Sequence, residues 1–238
     1  MTEKVLLAWS GGKDSSLALH EIRRTGAYRV SALLTTVTEG FDRISMHGVR
    51  RDLLEKQARS LGYPLEVVFI PKHCTNKDYE STMQGVLERW SGHGVKGVGF
   101  GDVFLEEIRT YRERNLSRIG MKGVFPLWGS DPGELAQRFI NLGFKAVVTC
   151  VDSEMLSGEY VGRDYDHRFL EELPEEVDPG GENGEFHTFV YDGPIFREKI
   201  NVARGEIVLR DNRFYYCDLV AEERRPDGGP FSSGNNGV

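Results

Sequence analysis

The stretch Val5-Leu6-Leu7-Ala8-Trp9-Ser10-Gly11-Gly12-Lys13-Asp14-Ser15-Ser16 decides the fold. Its five apolar residues make a short buried strand and its two glycines turn the chain. Leu17, Ala18, Leu19 and Ile22 then recur at helical spacing up to Thr25-Gly26. A strand, a tight turn and a helix begin a βαβ unit. The same turn suits an anion: glycines let backbone N–H groups face a ligand, and the helix N-terminus adds partial positive charge. Ser10, Ser15 and Ser16 add hydroxyls and Lys13 a full charge. Asp14 would repel a bare phosphate, so its place here fits Mg²⁺ coordination or ordering of the loop. The Walker loop is excluded, because Leu7 stands where its first glycine belongs and Asp14 follows Lys13 where Ser or Thr is needed. A plain structural turn would account for Gly11-Gly12, but not for all six residues from Ser10 to Ser15.

Outward from this loop, strand-like and helix-like runs alternate. Val30–Val37, Leu65–Ile70, Val95–Phe100 and Phe144–Val151 read as further buried strands. Helical patterns lie between them. One spans Val49–Leu61, stopped by Gly62, and one runs from Asn76, as its cap, to about Trp90. Two more span Val103–Arg118 and Pro132–Leu142, the latter capped by Asp131. This alternation predicts an α/β fold whose parallel sheet is covered on both faces. Past residue 152 the rhythm changes. A helix at Tyr165–Leu173 and a glycine-rich acidic loop at 178–185 precede short strands at Thr188–Tyr191, Ile200–Leu209 and Arg213–Val220, with Asp211-Asn212 turning between the last two. The expected division is an ATP-binding-type unit at 1–152, a smaller α+β unit at 153–222, and a Gly/Ser/Pro/Asn-rich tail at 223–238 expected to be disordered.

The 238 residues carry a net charge of −7, with 39% hydrophobic and 28% charged residues. That length buries a core without staples, and the acidic balance argues against a protein built on a nucleic-acid backbone. Cys74, Cys150 and Cys217 form no CxxC pair, so neither a zinc site nor a disulfide framework is signalled. The five-residue apolar run near the start is too short for a signal peptide and no window reaches the length of a membrane span, so a soluble, cytoplasmic protein is expected.

Three other places carry candidate chemistry. Gly101-Asp102 ends a strand, where open parallel sheets bind ligands, and Glu106, Arg109 and Arg112 follow on the next helix. Asp102 and Arg112 are the functional candidates there, against the alternative of a helix laced with ion pairs. Asp178-Pro179-Gly180-Gly181-Glu182-Asn183-Gly184-Glu185-Phe186-His187-Thr188-Phe189 concentrates glycines and polar groups that do not build a core. Glu182, Glu185 and His187 are its catalytic candidates, His187 as base or hydrogen-bond donor. Weaker candidates are His47 and Arg50, the turn Phe125–Gly129, and Tyr191-Asp192-Gly193-Pro194 as a wall of the same cleft; Cys150 reads as core.

Ser10–Ser15, between a strand and a helix, resembles the PP-loop of the N-type ATP pyrophosphatases. Together with Gly101-Asp102, Pro126-Leu127-Trp128 and the late run Gly181 to Phe196, the pattern over about residues 4–221 resembles the diphthine–ammonia ligase family. The resemblance implies a Rossmann-like, adenine nucleotide alpha-hydrolase-like domain with a smaller C-terminal domain. It implies ATP and Mg²⁺ as cofactors, with ATP on Ser10, Gly11, Gly12, Lys13, Asp14, Ser15, Ser16, Gly101, Asp102 and Arg112, and the metal at Asp14. The implied reaction adenylates a carboxylate, releases pyrophosphate and passes the acyl group to ammonia, the family's acceptor being diphthine on translation elongation factor 2. Lys13, Asp14, Glu182, Glu185 and His187 are then the catalytic set. Asn183, Phe186 and His187 depart from the family's Gly-Glu-Gly-Gly-Glu-Tyr-Glu-Thr spelling, closer to bacterial relatives, which bears on the acceptor rather than on the ATP chemistry. The alternatives are a PP-loop enzyme modifying a nucleic acid or small molecule, and a nucleotide-binding protein without chemistry; a homodimer stays open.

Overall fold

The computed structural model describes residues 2–40, 43–44, 48–72 and 74–222; His47 and the tail at 223–238 lie outside them. The parallel part of the fold is built from β1 (Glu3–Ala8), α1 (Lys13–Thr25), β2 (Tyr28–Thr38), α2 (Arg51–Leu61), β4 (Leu65–Ile70), α3 (Asn76–Gly92), β5 (Val95–Gly99), α4 (Glu106–Ser117) and β6 (Lys122–Val124). Its five strands run parallel in the order β4-β2-β1-β5-β6. A two-residue strand, β3 (Arg43–Ile44), pairs antiparallel with the end of β2. The chain builds outward from β1 through β2 to β4, then α3 carries it back to β5 on the other side of β1. The carboxyl ends of β1 and β5 therefore flank a topological switch point, where such sheets open a crevice.

After α5 (Pro132–Asn141) come β7 (Lys145–Asp152), α6 (His167–Glu172), β8 (Phe186–Asp192), β9 (Val202–Arg210) and β10 (Phe214–Ala221). These four strands form a second, antiparallel sheet in the order β8-β7-β10-β9. The run Phe144–Val151, expected as a parallel strand, is thus corrected to the antiparallel β7. Its residues are almost all buried, and a continuous apolar run reports cover on both faces without reporting direction. The fifth parallel strand is instead β6, three residues including Gly123, too short to stand out.

Alternation along β1 divides the interior. Leu6 faces a core with Leu34, Val68, Val98 and Leu116. Val5 and Leu7 face a larger core that joins α1 and α2 to Phe139, Val147, Phe186 and Phe189 of the second sheet and its helix. Helix starts differ slightly from expectation. α3 is capped by Thr75, not Asn76: its hydroxyl accepts from Asp78 N at 3.2 Å and Asp78 Oδ2 accepts from Thr75 N at 3.1 Å, a capping box. α6 is capped by Asp166. Among the described residues no helix is long and apolar enough to cross a membrane.

Candidate active site

The loop between β1 and α1 is clamped from below. Gly11, at φ +80, turns its carbonyl toward the second sheet, where it accepts from Val190 N at 2.9 Å and Gln57 Nε2 at 3.0 Å. Gln57 also donates to the Val190 carbonyl at 2.6 Å and accepts from Trp9 Nε1 at 2.9 Å. Lys13 N donates to Thr188 Oγ1 at 3.1 Å. Within the loop, Gly12 N donates to Ser10 Oγ and Ser15 Oγ to the Gly12 carbonyl. The N-cap residue Gly12 supplies no side-chain cap, and the N–H groups of Asp14 and Ser15 in the first turn have no intrahelical acceptor. Gly101 meets this turn from the other side: a Cβ there would lie 2.8 Å from Asp14 C and 2.9 Å from Asp14 O.

The acidic loop is held by its own carboxylates. Asp178 accepts from Gly180 N and Glu182 N, and Glu185 accepts from Asp178 N, Asn183 N and Asn183 Nδ2. Glu185 is buried, and its two oxygens are taken up by these donors. Glu182 is left to reach Lys13, whose Nζ lies 3.3 Å from it and 2.5 Å from Asp14 Oδ1. Burial alone would push the Lys13 ammonium down, but Asp14 and Glu182 reverse this and hold it above the ordinary lysine value. Burial, joined by Asp14, pushes the Glu182 carboxyl well above the carboxylate range, with Lys13 pulling only partly back. Burial and then Lys13 push the His187 imidazole down, so it is neutral at pH 7.

A cavity of about 510 Å³ opens between these loops at the ends of β1, β2 and β5. Ser10, Asp14 and Ser15 line one wall, and Glu182 and His187 close one side. Gly101, Asp102 and Arg112 line another. Arg112 pairs with Asp102 (Nε–Oδ2 2.7 Å, Nη2–Oδ1 3.1 Å), and its guanidinium lies 4.2 Å from the centre of the Phe100 ring. Burial raises the Asp102 carboxyl against the opposing pull of Arg112. Gly11, Gly12 and Lys13 form the back of the loop against β8 and the acidic loop, and Ser16 is fully buried in α1.

Family models cover this architecture from end to end. The diphthamide synthase N-terminal domain matches residues 3–123 and the diphthamide synthase C-terminal domain matches residues 131–221. The chain belongs to the diphthamide synthase family. Among curated proteins it is similar to a diphthine–ammonia ligase of Schizosaccharomyces pombe, 26% identical over 86% of this chain and 37% of that protein. One of Bos taurus is 29% identical over 48% of this chain and 45% of that protein, and one of Danio rerio is 28% identical over 85% and 88%. The chain thus spans less than half the length of the first two. A phosphoadenylyl-sulfate reductase structure from Candida auris, a phosphate complex, is a distant likeness, at TM-score 0.36 and 14% identity over 59% of this chain and 72% of that one.

In this diphthamide synthase family member the two motifs lie far apart in sequence and meet at one cavity. Two residues expected in the catalytic set do not line the cavity: Lys13 lies behind the loop, paired with Asp14 and Glu182, and Glu185 orders the loop that presents Glu182. Tyr191–Pro194 lies at the far end of β8, with Asp192 opposite Lys145. Trp128 packs under Arg109, whose guanidinium is 4.6 Å from its ring, outside the cavity. Burial pushes the Cys150 thiol up to about 12, which removes it as a nucleophile. Arg50 is tied to Asp218, with Nη2–Oδ2 at 2.6 Å, and does not reach the cavity.

Two groups of residues at the site were not anticipated from sequence. Gln57 and Thr188 clamp the loop through contacts across 46 or more residues, which no local pattern announces. Tyr79, Met83 and Leu87 of α3 line the apolar side of the cavity. Their i, i+4, i+8 spacing was the available signal, though it is equally that of any amphipathic helix.

Proposed function

We propose that this chain is an ATP-dependent, amide-forming ligase that activates the carboxylate of diphthine as an acyl adenylate and passes it to ammonia. One observation carries the reading: a helix start with Asp14 and Ser15 at its first turn, their N–H groups without an intrahelical acceptor, opens onto the cavity that Glu182 and His187 close on one side. Such a helix start takes a phosphate chain, and Lys13, now paired with two carboxylates, would turn to phosphate oxygens. A carboxylate oxygen of the acceptor attacks the α-phosphorus, the bond to the β-phosphate breaks, and pyrophosphate leaves against the loop. Ammonia then attacks the acyl carbon and AMP departs. At neutral pH the nitrogen arrives as ammonium, so a proton must be lost first. His187, neutral and half-buried at the cavity, is placed to take it.

Among the described residues no group of three or more His, Cys, Asp or Glu side chains is arranged to hold a metal. Asp14 and Glu182 suit Mg²⁺, which takes one or two carboxylates and completes its shell with phosphate oxygens and water. Bound there, Mg²⁺ would neutralise phosphate charge.

The test incubates the protein with ATP, Mg²⁺, ammonium and a diphthine-bearing elongation factor and quantifies nucleotides by chromatography. AMP and pyrophosphate are expected in step with amide formation, and Lys13→Ala should lower turnover about 100-fold or more. Accumulation of ADP, or turnover indifferent to Lys13, would sink the reading.

A further inference from the structure

We propose that β9 joins two copies of this chain, paired antiparallel, edge to edge, about a two-fold axis through Val208. β9 ends the antiparallel sheet, and among the described residues only β10 pairs with it. Ile207, Val208 and Leu209 are 56%, 40% and 44% exposed, three consecutive apolar residues on an open strand edge. Such an edge templates a further strand unless charge, proline or cover blunts it.

The charges along Val202–Arg210 select the occupant. When a strand pairs antiparallel with its own copy, residues of equal parity face each other, so the axis passes through a residue. An axis at Ile207 sets Arg204 against Arg210, and one at Glu206 sets that glutamate against itself. An axis at Leu209 sets Val208 against Arg210 and Ile207 against Asp211. An axis at Gly205 sets Arg204 against Glu206, but Arg204 is already held by Asp164 at 2.5 Å. An axis at Val208 sets Glu206 against Arg210 twice and Ile207 against Leu209 twice, and brings Val208 to its copy. It is the register in which free charges and apolar surface both match: the apolar pairs lie on the regular segment Ile207–Arg210, and Glu206 borders the irregularity next to it. None of these residues belongs to the cavity, so the inference stands apart from the proposed ligase reaction.

Light scattering of the full chain across a concentration series is expected to show twice the monomer mass at the upper end. Glu206→Arg and Arg210→Glu should each weaken association about tenfold, and the double exchange should restore it. Val208→Cys should oxidise to a crosslinked dimer. Leu209→Cys should not, because its copies stand two residues apart along the ladder, beyond disulfide reach. Far-UV circular dichroism, expected unchanged, separates lost association from lost fold. A monomer at every concentration overturns the proposal. So does a dimer indifferent to both charge reversals, or one crosslinked as readily through residue 209 as through 208.

Discussion

Gln57 is separated by 46 residues from Gly11 and by 133 from Val190, yet its amide bonds to both. It is fully buried and ties the phosphate-type loop to Trp9 and β8 at once. In Gln57→Leu the Gly11 carbonyl keeps Val190 N, while Trp9 Nε1 and the Val190 carbonyl lose their partner. Two orphaned buried groups cost about 2–4 kcal/mol together, so the urea midpoint should fall with an unchanged slope. Gly101 shows the opposite constraint, space rather than bonding. Its Cα sits against the backbone of Asp14, and backbone cannot swing aside as a side chain can. Gly101→Ala should cost about 1–3 kcal/mol and push the α1 turn away from the cavity. Nucleotide titration should show affinity reduced about tenfold, while the circular dichroism spectrum stays native. If Gly101→Ala binds nucleotide as well as the unaltered chain, the close approach has no part in shaping the site.

At the scale of elements, the first strand, its loop and α1 are legible because one short segment carries period, breaker and charge together. The acidic loop is legible because its composition fits no regular element. β6 is not legible, being three residues long with a glycine at its centre, nor is the direction of β7, since burial on both faces hides which neighbours a strand has. The wall of the cavity on α3 and α4 was read only in part. Asp102 and Arg112 stood out as charges, whereas Tyr79 and Met83 look like ordinary core until a cavity is found beside them.

Asp218 shows how such elements are fastened together. From β10 it accepts from Arg43 Nη1 at 2.8 Å and Arg50 Nη2 at 2.6 Å, binding the second sheet to β3 and to the start of α2. Hydrogen bonds from Arg50, against partial burial and with help from Arg43, lower its carboxyl from 3.8 to about 2. A depressed carboxyl stabilises the fold fully above its unfolded value and loses that contribution as pH falls through the folded one. The stability gap between the unaltered chain and Asp218→Asn should therefore be constant above about pH 5 and close between pH 4 and pH 2. Urea melts at each pH measure it, and a gap that persists at pH 2 would remove the ion pairs as its cause.

The whole molecule is knitted across its two sheets rather than divided between them. β7 pairs with β8 and β10, while its side chains share a core with β1, α1 and α2. Cutting the chain after Asp152 keeps every parallel strand and the whole phosphate-type loop, yet removes both partners of β7 along with Thr188 and Val190. Val147, Val148 and Val151, now buried, would face water at about 1.5–3 kcal/mol each. That loss is comparable to the total stability of an ordinary domain. A fragment of residues 1–152 should show no cooperative thermal transition by circular dichroism and no nucleotide binding by calorimetry. A chain ending at Ala221 should melt in one step, because the larger core cannot be dismantled sheet by sheet. A sharp transition in the shorter fragment would mean that the parallel sheet holds its loop unaided, and that the clamp from β8 refines the site rather than making it.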